Sequence, residues 1–157
     1  MHITTLLNER NIILDLETSS KEELLDKLVM RIARGPRVLK PDQVREAVQD
    51  RERLATTGVG DGFAIPHAKT DGVLDLIAGL AITREPVDFQ SLDDQPVRIV
   101  FLLIGVESRV GTFLKILSRA RILMSSASFR KRLLHAKVAQ DIIDAFFEEE
   151  ERYFETA

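Results

Sequence analysis

Apolar positions in this chain follow two periods. Leu24, Leu25, Leu28, Val29 and Ile32 recur at the three-and-four spacing of one helix face. Ahead of them, Ser20-Lys21-Glu22-Glu23 has the pattern in which Ser and Glu side chains satisfy the first free N–H groups of a helix. A helix is predicted from there until Gly35-Pro36 stops it. Pro41 and Asp42 suit the first turn of a second helix, whose inward stripe is Val44, Ala47, Val48 and then Arg51. Three further helical patterns follow: Thr112 to Met124, Ser128 to Leu134 with Phe129 and Leu133, and Val138 to Phe147 with Ile142, Ile143 and Phe146.

Shorter apolar runs read as strands. Ile12 to Leu16, Ile77 to Ile82 and Val97 to Ile104 have strand length, and the last is nearly continuous, as expected of a strand covered on both faces. Ser91 to Pro96 reads as a turn. No crossover helix lies between the second and third runs, so antiparallel pairing is expected there and mixed pairing overall. The order predicts an α/β fold with a mixed sheet of four to five strands sandwiched by helices. No repeat, low-complexity stretch or Gly/Ser/Pro-rich linker divides the chain, so residues 1–157 are expected to form one domain.

Composition narrows the function. Twenty-two Lys+Arg against 25 Asp+Glu, a net charge of −3, give no basic footprint for nucleic acid. Cys is absent, which excludes disulfides, thiolate nucleophiles and Cys-ligated metal. The N-terminus lacks the layout of a signal peptide, and no run approaches the ~18 apolar residues of a membrane span. A cytoplasmic protein is expected, without membrane insertion.

With three His residues, the catalytic inventory is short. His2 lies in a terminus that frays by default, and His135 ends a helix, where the dipole mildly favours a cation. His67 closes the glycine-rich stretch Gly58-Val59-Gly60-Asp61-Gly62-Phe63-Ala64-Ile65-Pro66-His67. Pro66 fixes its own φ and holds Ile65 extended, so the backbone entering His67 is stiff. Glycines allow close approach of a ligand, and free N–H groups in such loops can bind an anion. The plain alternative is a packed or solvated loop histidine.

Arg51 lies seven residues after Val44, within about 20° of the same helix face at 100° per residue. A guanidinium aimed at a core edge needs an anion. A local Asp or Glu or a phosphoryl group meets that need, and an exposed guanidinium with its stem along the apolar face avoids it. There is no G-x-S-x-G elbow, no G-x-x-x-x-G-K-[ST] loop, no G-x-G-x-x-G opening a helix and no H-E-x-x-H pair. What survives is one imidazole beside an arginine and glycine amides. That set suits a nucleophile for a phosphoryl group, since neutral imidazole is nucleophilic near pH 7 and phosphoryl transfer asks mostly for positioning and charge stabilisation.

Arg51-Glu52-Arg53, Thr56-Thr57-Gly58-Val59-Gly60 and Gly62-Phe63-Ala64-Ile65-Pro66-His67-Ala68 together resemble the signature around the phosphorylated histidine of the mannitol/fructose-type enzyme IIA family, components of the bacterial phosphoenolpyruvate-dependent sugar phosphotransferase system. The similarity covers nearly the whole chain. It implies an α/β sandwich in which His67 accepts a phosphoryl group from an HPr-type phosphohistidine carrier. In sugar-transporting members a IIB domain receives it next. Arg51 matches the family's active-site arginine by its sixteen-residue offset from His67, and Thr57 matches a Ser/Thr near the phosphoryl site. Gly58 and Gly60 are the expected phosphoryl-binding glycines. The resemblance implies no metal and no organic cofactor. A lone IIA domain looks more like the nitrogen-regulatory branch, with regulated target proteins as partners.

One position departs from the family. Many members carry a second histidine where this chain has Phe113, which falls on the stripe of Leu117, Ala120 and Met124 and reads as core. Thr112, or the helix start near Gly111, is expected to supply the missing donor. Two other readings stand beside the phosphocarrier: a regulatory module that signals by docking, and a sugar-phosphate binder using Arg51 and the glycine loop. The run Glu148 to Glu151 with Arg152 reads as a solvated tail, and Arg119 and Arg121 read as exposed charge or a docking rim.

Overall fold

The computed structural model describes residues 1–154. Its elements are α1 (Ile3–Leu6), β1 (Ile12–Leu16), α2 (Lys21–Ile32), α3 (Pro41–Leu54), β2 (Phe63–Ala64), β3 (His67–Lys69), β4 (Ile77–Val87), β5 (Val97–Gly105), α4 (Val110–Met124), α5 (Ala127–Leu134) and α6 (Ala139–Phe154). The predicted helix starts have visible causes. Ser20 Oγ accepts the Glu23 N–H at 3.1 Å and caps α2. The Glu23 carboxylate turns instead to Ser19 Oγ at 2.8 Å, so only half of the reciprocal capping pattern forms. Pro41 opens α3, where its missing N–H has no partner to lose.

The sheet is mixed, as expected, with order β1-β4-β5 and both β2 and β3 along the outer edge of β5. β4 and β5 pair antiparallel, while β1 runs parallel to β4 and β2 and β3 parallel to β5. Helices cover both faces. Ile99, Phe101 and Leu103 of β5 pack with Phe113, Leu117, Phe129 and Phe146 of the C-terminal helices. Val100, Leu102 and Ile104 pack with Leu28, Ile32, Val44 and Val48 of α2 and α3. Burial on both faces explains why β5 reads as an unbroken apolar run rather than an alternating one.

The structure extends or corrects several expectations. β4 runs on to Val87 through the exposed Arg84-Glu85-Pro86. The glycine-rich segment holds two short strands, separated by Ile65-Pro66. The last helix continues through the acidic run, and this is not a solvated tail: Glu150 is buried at 1% exposure and Glu149 at 9%. The Glu150 carboxylate accepts the N–H groups of Ile3 at 2.7 Å and Thr4 at 2.8 Å, caps the free amides of α1, and lies 3.6 Å from His2 and 3.7 Å from Arg119. The N-terminus is therefore tied down rather than frayed, and Arg119 is part of that clasp. Residues 155–157, included in the expected domain, lie outside the described residues. Among the described residues no helix is long and apolar enough to cross a membrane.

Candidate functional site

His67 begins β3, an edge strand, opposite Leu103 of β5. Side chains alternate along a strand. Ala68 packs against the α2–α3 layer, so His67 turns toward the α4 layer, where its ring meets that of Phe113 at a centroid distance of 6.0 Å. The ring is half-buried at the open side of the sheet. His67 Nδ1 lies 2.8 Å from the carbonyl oxygen of Ile65, two residues back across Pro66. A carbonyl can only accept, so the proton of the neutral ring sits on Nδ1 and the lone pair on Nε2. The stiff Ile65-Pro66 unit thus fixes both the ring orientation and the tautomer.

Burial lowers the His67 pKa, and the charges of Arg51 and Arg121 lower it further, against the Ile65 hydrogen bond and the Glu52 charge, which raise it. The imidazole is neutral, hence nucleophilic, at neutral pH.

Arg51 comes from the last turn of α3 and donates from Nη1 to the Ala55 carbonyl at 2.9 Å. No carboxylate pairs with it among the described residues. The local partner that could have neutralised it, Glu52, is buried and taken: its carboxylate accepts the Thr57 N–H and the Thr57 hydroxyl, each at 2.8 Å, and pairs with Lys21 Nζ at 2.7 Å. The guanidinium of Arg121 on α4 has no hydrogen-bond or ion-pair partner among the described residues. Two guanidiniums without a carboxylate partner, one from α3 and one from α4, thus act through their charge on one neutral imidazole.

Thr57, expected near the phosphoryl group, has its single hydroxyl proton committed to Glu52. It holds the chain at the end of α3, and its carbonyl accepts the Ile65 N–H at 3.3 Å, linking Glu52 to the backbone before His67. The glycines serve packing. A Cβ at Gly58 would stand 2.4 Å from Ser91 Oγ, and the Gly58 N–H already donates to Thr56 Oγ1 at 3.1 Å. Gly60 has φ +142°, open to glycine alone, and its α-carbon faces the Asp93 carboxylate. An anion cradle is not what surrounds these two glycines. Thr112 lies in the first turn of α4, half-buried, one residue before Phe113, and its hydroxyl has no hydrogen-bond partner among the described residues. Gly111 beside it faces open space.

The sequence reads Arg121 as exposed charge or a docking rim and gives Glu52 and Lys21 no role of their own at the site. Arg121 follows Phe113 and Leu117 at steps of four, which places it along the border of their buried stripe; that spacing was the available signal. Glu52 carried none, because its partners come from α2 and the following loop.

Residues 5–149 match the family described as "Phosphoenolpyruvate-dependent sugar phosphotransferase system, EIIA 2". The chain is 36% identical over 144 residues to the "PTS system fructose-specific EIIABC component" of Bacillus subtilis, a match covering 92% of this chain and 23% of that protein. It is 35% identical over 146 residues to the "Nitrogen regulatory protein" of Bradyrhizobium diazoefficiens, covering 90% of this chain and 92% of that one. The crystal structure of the nitrogen regulatory protein IIA-Ntr from Neisseria meningitidis superposes with a TM-score of 0.85 at 32% identity, over 92% of this chain and 98% of that one. The family match over residues 5–149 and the likeness of the fold place the chain in the EIIA 2 family of the phosphotransferase system.

Proposed function

We propose that His67 is the phosphoryl acceptor of this chain and that the donor is a phosphohistidine carrier of the HPr type. The Nε2 lone pair of His67 attacks the phosphorus of the donor, the electron pair of the donor's P–N bond returns to the donor nitrogen, and that imidazole, already protonated on its other nitrogen, leaves as a neutral ring. His67 keeps its own proton on Nδ1, where the Ile65 carbonyl accepts it and steadies the positive charge of the phosphorylated ring. Arg51 and Arg121 supply positive charge to the equatorial oxygens in transfer. Thr112 and the open first turn of α4 offer the donors that a second imidazole would otherwise give. A IIB domain or a regulated target then receives or reads the phosphoryl group, and the relay belongs to the cytoplasm.

The single observation that carries this reading is the pairing of a neutral imidazole, its Nε2 free, with two guanidiniums that have no carboxylate partner. The test is incubation with phosphoenolpyruvate, the general phosphotransferase of the system and its HPr-type carrier. One acid-labile, base-stable phosphoryl group is expected on the wild type and none on His67→Ala. A phosphoryl group that persists in His67→Ala overturns the assignment.

A second reading, signalling by docking with the phosphoryl group as a charge switch, is favoured by exposed apolar side chains on the elements that carry the site. Leu54 follows Arg51 on α3, Leu114 follows Phe113 on α4, Val59 follows Gly58, and the Leu92 N–H donates to the Gly58 carbonyl. If capture of the HPr-type carrier is equal for the wild type and His67→Asp, the switch reading falls.

A further inference from the structure

A second arginine cluster lies away from His67, at the opposite side of the sheet. The C-terminal end of α2, the turn after it, the segment before β1 and the start of β4 enclose a cavity of about 340 Å³. Arg10, Arg31, Arg34 and Arg37 all line it, and no Asp or Glu does. In a chain of net charge −3 this is a local excess of four positive charges. Two of the four are anchored to the walls: Arg37 Nη1 donates to the Leu76 carbonyl at 2.6 Å, and Arg31 Nη1 reaches the Ile12 carbonyl at 3.5 Å. The guanidiniums of Arg10 and Arg34 have no hydrogen-bond or ion-pair partner among the described residues. Asp75, beside the Arg37 anchor, is occupied by Arg109 at 3.0 Å. Glu9, next to Arg10 in the chain, does not line the cavity.

The end of a helix favours a cation, which accounts for Arg31 in the last turn of α2. It does not account for four, since clustered guanidiniums repel one another wherever no anion lies between them. The cavity also has an apolar part, with Leu6 and Ile77 buried in its wall. Its volume falls at the lower end of small-molecule sites, large enough for a ring carrying phosphoryl groups. Guanidinium forks are suited to phosphate oxygens, which accept two parallel N–H bonds from each.

We propose that this cavity binds a small, soluble organic phosphate with two or more phosphoryl charges, its phosphates between Arg34, Arg10 and the free N–H groups of Arg31 and Arg37, and its organic body against Leu6 and Ile77. The site is separate from His67 and independent of phosphoryl transfer there. It gives the protein a means of sensing a charged metabolite at a surface that the relay partners need not cover.

The test is isothermal titration calorimetry of the whole chain with ADP, pyrophosphate and anionic phosphatidylglycerol vesicles. Saturable one-to-one binding of ADP is expected, weaker for pyrophosphate, with affinity lost at least tenfold in Arg34→Glu and in the double variant Arg10→Ala/Arg34→Ala. Both substituted side chains are exposed, and thermal midpoints unchanged from the wild type are expected for both variants. Binding must survive in His67→Ala and in Arg51→Ala/Arg121→Ala. No saturable heat overturns the proposal, as does ADP binding that persists without Arg10 and Arg34 or vanishes without Arg51 and Arg121. Pyrophosphate binding as tightly as ADP overturns the organic class, and binding of vesicles alone overturns a soluble ligand.

Discussion

His67 donates from Nδ1 to the carbonyl of Ile65 at 2.8 Å, and Pro66 between them makes this short loop stiff. The bond has a direct chemical consequence, because only Nε2 is left with a lone pair. The phosphorylated protein is therefore expected to carry the group on Nε2, with Nδ1 still protonated. Two-dimensional ¹H–¹⁵N correlation of the phosphorylated ring, read with the ³¹P coupling, checks this. Coupling of phosphorus to Nδ1 would rule out the orientation described.

The depressed pKa of His67 sets a pH dependence whose sign follows from its causes. Burial, then Arg51 and Arg121, hold the folded-state value below that of an unfolded histidine, near 6.5. The group's contribution to stability is then fully present above about pH 6.5 and is lost as pH falls through the folded value, because the unfolded chain binds more protons in that window. Stability of the wild type is expected to rise with pH across it, and His67→Gln to lose that part of the slope. Acceptance of phosphoryl should likewise be half-maximal below the ordinary histidine value. Removing either positive neighbour, in Arg51→Ala or Arg121→Ala, should move the titration of the ring upward, as read from its Cε1 proton shift. A downward movement contradicts the charge argument.

Glu52 is the pivot of the site's second layer. It holds Thr57 by two hydrogen bonds and Lys21 by a close ion pair, with Lys21 also donating to the Phe89 carbonyl at 3.1 Å and lying over the Phe89 ring. Glu52→Ala strands Lys21, only 14% exposed at its side chain, without its counter-charge, and a loss of about 3–5 kcal/mol is expected. Glu52→Gln keeps an acceptor for Thr57 and should lose less, roughly 1–3 kcal/mol. Urea unfolding gives both values. Equal midpoints for Glu52→Ala and the wild type would show that the clasp contributes nothing.

Phe113, on the inward stripe of α4 with Leu117 and Ala120, is buried at 3% exposure. Its ring fits the space left by Gly105, where a Cβ would lie 2.5 Å from Phe113 Cδ2. Phe113→Ala is expected to destabilise the fold by about 3–5 kcal/mol, as for other buried aromatic truncations. Because the same ring shields His67, the variant should also raise the His67 pKa toward its ordinary value. A stability loss with no change in that titration would leave Phe113 as core alone.

How far these features were legible depends on whether their partners are near in sequence. Ser20 and Glu23, or Arg51 and Val44, are related by helical spacing, so the starts of α2 and α3 and the face of Arg51 could be read directly. Pro66 before His67 carried a backbone constraint in the sequence itself. β2 and β3 have two and three residues, too few for any alternation to show, and they are strands only because β5 offers its edge. Glu52 and Glu150 were unreadable for a related reason. Each sits in a charged run that has the composition of a solvated surface, and only the approach of Lys21 and Thr57 in one case, and of the α1 amides in the other, turns it into a buried clasp.

Gly58 illustrates a glycine that the structure uses for room rather than for conformation. Its φ is not in the left-handed region, yet a Cβ would fall 2.4 Å from Ser91 Oγ and 3.3 Å from both Phe89 Cδ1 and Ser91 Cβ. Ser91 is itself buried, its hydroxyl is without a hydrogen-bond partner, and the Gly58 carbonyl accepts the neighbouring Leu92 N–H at 2.9 Å, so the two loops are zipped together at this point. Gly58→Ala should push them apart, with a loss of about 1–3 kcal/mol typical of overpacking. The clash is with one small side chain, so Ser91→Gly should restore most of that loss in the double variant, while on its own it costs little, because the Oγ it removes bonds to nothing. A double-mutant cycle by chemical denaturation measures the coupling, expected to exceed about 0.5 kcal/mol for residues in contact. If instead Gly58→Ala keeps its stability but abolishes phosphoryl acceptance, the glycine serves the approach of the partner and the packing account is wrong.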